Sequence, residues 1–415
     1  TGAAAAGNAW GIVLDNSASN VIGGTTAAAR NLISGNASDG INIGGAGSTG
    51  NQIQGNRIGT NLAGTAAIGN VGVGIGIGVG ASGNTVGGAG SAYRNLISGN
   101  VQYGIFITDA ATSGNVVQSN WIGVDAAGTG ALTNGGFGVV VDLQAASTTI
   151  AGNVISGNTA TSSSAARGGI YVYGYGVTIQ GNLIGLDAAG SGLLGNGGGT
   201  GNSAGIVVNG GSTGVRIGGT GVGEGNAIAG NTGAGVAVMA TGAQTTLLGN
   251  TFRDNTGLAI DLGNDGLTAN DAGDTDSGAN ALQNTPLLYT ADLQGADVRV
   301  RGEVNTTAGT TLRIEFFSNP LGSEDPTGYG EGAVYLGYTE VTTDGAGHAA
   351  LDVTLTGVAP AAGDRVSATA TLKTGASSYG ATSEFSMNVP AAVSNQAPVI
   401  TLSGSSSSYI ENAGV

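Results

Sequence analysis

Through the first 260 residues, apolar and small or polar side chains alternate in runs of three or four residues, each run opened by Gly or Asn. Eight runs have the form Gly-apolar-x-apolar: G-I-V-L from Gly11, G-I-N-I from Gly40, G-I-G-I from Gly74, G-I-F-I from Gly104, G-V-V-V from Gly138, G-I-Y-V from Gly169, G-I-V-V from Gly205 and G-V-A-V from Gly235. They recur about every 30 residues. Between them lie shorter N-x-I/V and G-N-x-I stretches. Alternation with period two predicts strands, here too short and too regularly spaced for a sheet of long hairpins. A longer period is visible as well: R-N-L-I-S-G-N stands at 30–36 and again at 94–100. G-N-R-I-G-T at 55–60, S-N-W-I-G-V at 119–124 and G-N-L-I-G-L at 181–186 form a parallel series, followed by similar insertions at 61–70, 125–134 and 187–196.

Units that cannot each bury an apolar face must bury it against their neighbours, so the pattern predicts a solenoid. Three short strands per unit make one coil, and coils stacked at ~4.8 Å bring equal positions into line. Inward Ile and Val then form aliphatic stacks. Corner residues Asn31, Asn56, Asn95, Asn120, Asn153, Asn182 and Asn226 align as a hydrogen-bonded side-chain ladder. The predicted architecture for 1–262 is a parallel β-helix of about eight three-strand coils, a rod of roughly 40 Å.

Beyond this the pattern changes. Residues 263–286 are turn-rich and acidic, and are expected to form a linker. From 287 to 391 the alternating runs lengthen, at 297–304, 311–318, 333–341, 350–356, 365–372 and 383–389. Such runs between Gly, Pro and Asp turns predict an antiparallel β-sandwich, making the chain all-β. All six prolines, the His and the Lys lie beyond residue 285, which also marks the boundary.

The R-N-x-I-S-G-N and G-N-x-I-G-T/L-D-A-A-G-T units resemble the right-handed parallel β-helix repeats, of pectate-lyase-like fold, found in very large secreted or surface bacterial proteins. The resemblance covers roughly 8–260 and implies the right-handed sense and an extracellular or cell-surface setting. That superfamily holds lyases, hydrolases, epimerases and non-catalytic adhesins. The stretch L-R-I-E-F-F-S-N-P with G-Y-G-E-G at 328–332 resembles the immunoglobulin-like module that often follows such helices. Residues 392–415, with S-N-Q-A-P-V-I-T-L, resemble the linker and first strand of a truncated cadherin-like repeat.

Charge narrows the partners. Eleven basic against 26 acidic residues give a net charge of -15, which repels phosphate backbones and argues against nucleic acid. No apolar run reaches the ~18 residues of a membrane span. With no Cys, disulfides are excluded. The β-helix segment has no His and no Lys, so the D-P-H site of uronate epimerases and the G-H-G site of polygalacturonases are absent from it.

Two candidate sites emerge. In the Gly-apolar-x-apolar runs the x positions point outward, and aligning them brings Phe106, Tyr171 and Tyr173 near Thr108 and Asp142. Aromatic faces beside hydrogen-bonding groups suit carbohydrate; the competing reading buries these rings under the loop at 159–167 or 197–203. Asp271, Asp274, Asp276 and Asn280 offer closely spaced oxygens around Gly278, as calcium requires, although the spacing departs from the D-x-D-x-D-G loop. A solvated linker is the alternative. The recurring Asp125 and Asp187 are expected to cap turns. The residues favour a non-catalytic adhesion or stalk segment that binds carbohydrate or another cell-surface ligand. A polysaccharide lyase or glycoside hydrolase is the second expectation. The third is a fibre subunit associating head to tail through open coil ends.

Overall fold

The computed structural model describes residues 4, 6–159, 167–198, 203–239 and 244–393; the expected linker and cadherin-like first strand at 392–415 lie outside them from 394 onward. Short strands stack into three parallel sheets, one of nine strands and two of eight, and consecutive members of each sheet are separated by one coil of chain. This is a parallel β-helix. The first sheet runs from Ile12–Asp15 to Ile260–Leu262, the second from Val21–Gly23 to Thr246–Leu248, and the third from Leu32–Ile33 to Thr251–Arg253. Inside, aliphatic side chains meet in register. Ile53, Val86, Val117, Ile150, Ile179 and Ile217 stack from the second sheet, and Ile58, Ile97, Ile122, Ile155, Ile184 and Ile228 from the third, all fully or almost fully buried. Each such side chain removed from water contributes roughly 1.5–3 kcal/mol.

Asparagines hold the corners. The ladder expected from Asn31 to Asn226 is present and continues to Asn250. A second ladder joins Asn36, Asn70, Asn100, Asn134, Asn158, Asn196, Asn231 and Asn255. A third links Asn20, Asn51, Asn84 and Asn115 before Thr148 takes over the position. In all three, each Nδ2 donates to the Oδ1 of the next coil at 2.7–3.1 Å. Many of the same oxygens also accept the neighbouring backbone N–H, as Asn153 Oδ1 does from Asn120 at 2.8 Å. The corner after the third sheet needs glycine: Gly123 has φ +87°, and a Cβ there would lie 2.3 Å from the Ser156 carbonyl oxygen. The insertions stack too, through Ala126 N–H to the Gly64 carbonyl (2.8 Å) and Ala188 N–H to the Gly128 carbonyl (2.9 Å). Asp125 and Asp187 cap these turns by accepting backbone N–H groups.

Eight further strands follow, the first Leu287–Gln294 and the last Val389–Val393. They form one mostly antiparallel sheet around a second core that includes Val300, Ile314, Phe316 and Ala368. Its parallel pairing is between Leu287–Gln294 and Val389–Val393. Three details differ from the pattern expected, one of them an added strand at Tyr379–Thr382. Leu287–Gln294 is a strand of its own, and the run at 383–389 becomes strand only at Val389. Residues 383–388 instead run irregularly along the end of the β-helix, where Glu384 receives the Leu262 N–H and Phe385 packs on Phe252.

The C-terminal end of the rod is therefore not open. Phe317 and Phe385 join the β-helix core cluster, with Phe252 and Phe385 rings 5.7 Å apart and Phe317 and Phe385 5.1 Å apart. The last coil's backbone N–H groups find acceptors in the second module. Asn255 donates to Glu331 Oε1 (3.0 Å), Leu262 to Glu384 Oε1 (2.9 Å), Gly249 to Glu315 Oε2 (2.8 Å), Leu247 to Thr382 Oγ1 (2.9 Å) and Phe252 to the Gly332 carbonyl (3.0 Å). Residues 263–286 are not a free linker either. Thr268 hydrogen-bonds Glu384, and Asn280 is buried against Thr245 and Thr382.

Asn120→Ala strands the Asn95 amide and the Val86 carbonyl inside the rod. It is expected to lower the unfolding free energy by at least about 2 kcal/mol in urea titration. A change below about 0.5 kcal/mol would show that the ladder is not a stabilising element.

Candidate functional site

Pairing along the first sheet fixes its outer rows. Val13, Asn42, Gly76, Phe106, Val140, Tyr171, Val207 and Ala237 lie in one row. Backbone bonds carry the ladder one residue further at Gly78, Thr108, Asp142 and Tyr173. Sequence-chosen Phe106, Thr108, Asp142, Tyr171 and Tyr173 thus share one face, but they do not form an open aromatic platform. Phe106 leans on Tyr103, rings 5.7 Å apart, and Tyr171 on Phe137, 5.4 Å apart. Both half-bury in a satellite cluster with Val140, Val207 and Ala237. The Tyr171 hydroxyl takes a hydrogen bond from Asn209, and burial raises its pKa. The Tyr173 ring lies against Gly211, and Asp142 Oδ1 accepts the Leu143 N–H at 2.8 Å. Of the loops named as covers for these rings, at 159–167 and 197–203, residues 160–166 and 199–202 lie outside the described residues.

The same rows contain a gap. Gly76 and Gly78 contribute no side chain between Asn42 on one coil and Phe106 and Thr108 on the next, although neighbouring side chains bury their backbone. The result is a trough of about 300 Å³ edged by Asp39 and Asp109. A Cβ at Gly76 would approach Asn42 Nδ2 to 3.3 Å, and one at Gly78 would come within 3.0 Å of Asp109 Oδ2. Asp39 holds Asn42 Nδ2 (3.1 Å) and the Val73 N–H (3.0 Å). Asp109, at φ +78°, accepts the Val79 N–H at 2.7 Å; a non-glycine residue in that region is held under strain. Sequence reasoning noted Asp109 only as a remaining acid, passed over Asp39 and placed neither in a site, because both stand just outside the aligned runs. The paired glycines in the outward columns were the available signal.

The acidic strap forms a cluster. Asp271, Asp274 and Asp276 each place a carboxylate oxygen within 4.8 Å of the others. Asp274 accepts Gln283, Thr306 and the Asn284 N–H, and burial raises its pKa. Burial, then neighbouring Asp271, raise that of Asp276. Asp271 Oδ1 and Asp276 Oδ1 are shielded from solvent with no hydrogen-bond partner, which leaves two oxygens available to a hard cation. Asn280 does not join them, because its amide serves Thr245 and Thr382.

No family model matches the chain, and no curated protein matches it. Among solved structures, the A-module of the mannuronan C-5 epimerase AlgE6 of Azotobacter vinelandii aligns at 15% identity with a TM-score of 0.28. The alignment covers 60% of this chain and 54% of that one, so this chain spans about half of that structure. A likeness of that degree carries nothing about activity.

At the capped end, burial pushes the Glu331 carboxyl up to about 8, with Asp325 and Asp254 adding repulsion against the opposing pull of the Asn255 N–H. The folded chain therefore keeps a proton that the unfolded chain releases near its ordinary value of 4.5. Stability is expected to fall as pH rises from about 4.5 to about 8, by up to about 1.4 kcal/mol per pH unit from this group. Glu315 and Glu384, also raised chiefly by burial, act in the same direction. Glu331→Gln keeps the acceptor and should flatten the slope in denaturant titrations across that range; an unchanged slope would contradict the assignment.

Proposed function

We propose that this chain is a rigid structural and adhesion segment of a large secreted or surface bacterial protein, and that it binds carbohydrate on the first sheet of its β-helix. The observation that carries this reading is the trough floored by Gly76 and Gly78. It is the place where an otherwise filled outer row opens beside an aromatic ring, with Asn42, Thr108 and two carboxylates to receive hydroxyls. The ladders and the capped end support a stiff carrier for that face. In this reading the second module is immunoglobulin-like and acts as both cap and spacer. The stretch from 394 begins a cadherin-like repeat. Calcium at Asp271, Asp274 and Asp276 would neutralise their mutual repulsion and stiffen the strap.

A polysaccharide-active enzyme is the second reading, favoured by Asp39 and Asp109 at opposite edges of one trough, since paired carboxyls are what glycoside hydrolysis uses.

Valine stands in the Gly76 row at Val13, Val140 and Val207, so Gly76→Val should fill the trough once the Asn42 side chain gives way by a few tenths of an ångström, with the fold verified by circular dichroism. On a neutral-glycan array the native chain is expected to bind and the variant to lose at least ~10-fold in affinity. Equal binding by both would sink the trough as the site. Mass spectrometry of the bound glycans separates the two readings: intact chains support adhesion, and shortened or unsaturated products support the enzyme.

Millimolar calcium should raise the Tm by several degrees through selective binding to the folded state, and Asp276→Asn should abolish the rise. The same Tm with calcium and with chelator would remove the metal from this account.

A further inference from the structure

The repeat states what the rod requires at each position, so a copy that departs from it without a packing reason calls for another cause. The outer row of the third sheet reads Leu32, Arg57, Leu96, Trp121, Val154 and Leu183 in register. Arg57, Trp121 and Leu183 occupy equivalent places in G-N-R-I-G, S-N-W-I-G and G-N-L-I-G. Each sits beneath a glycine of the insertion that follows it. A Cβ at Gly64 would lie 3.3 Å from Arg57 Nε, at Gly128 3.0 Å from Trp121 Cη2, and at Gly190 3.6 Å from Leu183 Cδ2. Indole or leucine satisfies this pocket, so the fold does not need a guanidinium there.

Arg57 has company. Arg30 and Arg94 precede ladder residues Asn31 and Asn95, and so stand in the adjoining row on either side of Gly55. The three arginines therefore come from three successive coils, and Trp121 follows in the fourth. The Arg94 guanidinium lies 4.2 Å from the centre of the Trp121 ring. Arg30 uses Nε for the Gly55 carbonyl (3.1 Å), while Arg94 Nε is buried without an acceptor. Burial lowers the pKa of Arg57, and the charge of Arg30 lowers it further. Among the described residues none of the three forms an ion pair; those of the chain lie at Arg253 and beyond. In a protein with 26 acids and 11 bases, three neighbouring cations without an acidic partner are held together against their own repulsion and desolvation.

We propose that Arg30, Arg57 and Arg94, with Trp121 at the end of the row, form a strip that binds an acidic polysaccharide through its carboxylate or sulfate groups. Cations on three successive coils, staggered between two adjoining rows and stepped about 4.8 Å per coil along the axis, fit a linear polymer better than a single small anion. Arginine presents a planar fork to carboxylate and sulfate, and the Trp121 ring holds the Arg94 guanidinium in place by stacking. The net charge of -15 opposes polyanions of every kind, phosphate as well as carboxylate and sulfate, so the oligonucleotide control separates nucleic acid from polysaccharide. The strip lies on the third sheet, whereas the trough lies on the first, so the two can fail separately.

The test uses the full chain and Arg57→Leu, which installs the residue the repeat itself carries at Leu183; circular dichroism and urea unfolding verify its fold. Binding of polygalacturonate and dextran sulfate is measured by calorimetry at low and physiological salt, with neutral dextran and a single-stranded oligonucleotide alongside. The native chain is expected to bind the acidic polysaccharides, more weakly as salt rises. Arg57→Leu and Arg94→Ala should each lose at least ~10-fold, and Gly76→Val should leave this binding unchanged. Absence of binding by the native chain, full retention in folded Arg57→Leu, or equal affinity for the oligonucleotide would overturn the proposal.

Discussion

Every coil of this rod leaves buried amide groups that only the next coil can satisfy, and the fold depends on how that chain of obligations is ended. Within the rod the next coil supplies the acceptor: Asn120 donates to Asn153, Asn153 to Asn182 and Asn182 to Asn226. At the last coil no further strand follows, and an unmet buried N–H costs roughly 1–3 kcal/mol. The second module resolves this by imitation. Glu331 Oε1 receives the Asn255 N–H where another ladder Asn would stand, and Asn280 exchanges two bonds with Thr245 at the corner of the third ladder. Phe317 and Phe385 close the aliphatic stacks at the same end. Cap and rod thus share hydrogen bonds and one apolar core, and end-to-end stacking through that face is blocked.

The acids that perform this closure carry its cost. Glu315, Glu331 and Glu384 are almost fully buried, and burial raises the pKa of each. Glu315 is balanced by Arg313 at 2.9 Å, whose guanidinium also lies 3.5 Å from the Tyr338 ring centre. Glu331 has no such cation bonded to it. The cap is accordingly tied to proton concentration in a way the Asn ladders, which do not titrate, are not.

Much of the rod was legible in the sequence because its information is periodic. G-I-x-I runs and the Asn31 series recur at nearly constant spacing, and stacking converts recurrence directly into contact. The second Asn ladder was harder to see, since insertions such as 61–70 and 125–134 displace its members from the aligned units. The cap was not legible, because nothing local distinguishes Glu331 or Glu384 from the loop and strand acids they resemble; their role comes from meeting a surface more than 70 residues earlier in the chain. The same holds for Asn280, which was expected among the metal ligands and is spent on backbone. On the outer face, the shared row of Phe106 and Tyr171 follows from the spacing, but the packing of Phe106 on Tyr103 and of Tyr171 on Phe137 depends on side-chain directions that spacing alone does not give. Asp39 and Asp109 emerged only from the trough that Gly76 and Gly78 open.

The central claim is that the second module completes the last coil of the β-helix, and amide hydrogen exchange tests it most directly. If the claim holds, the amides of Thr245, Leu247, Gly249, Phe252, Asn255 and Leu262 exchange as slowly as those of Asn153 and Asn182 inside the rod, and open with the same free energy as the whole chain. Fast exchange at these six, with protection retained at Asn153 and Asn182, would mean that the rod ends unsealed and that the module merely rests against it.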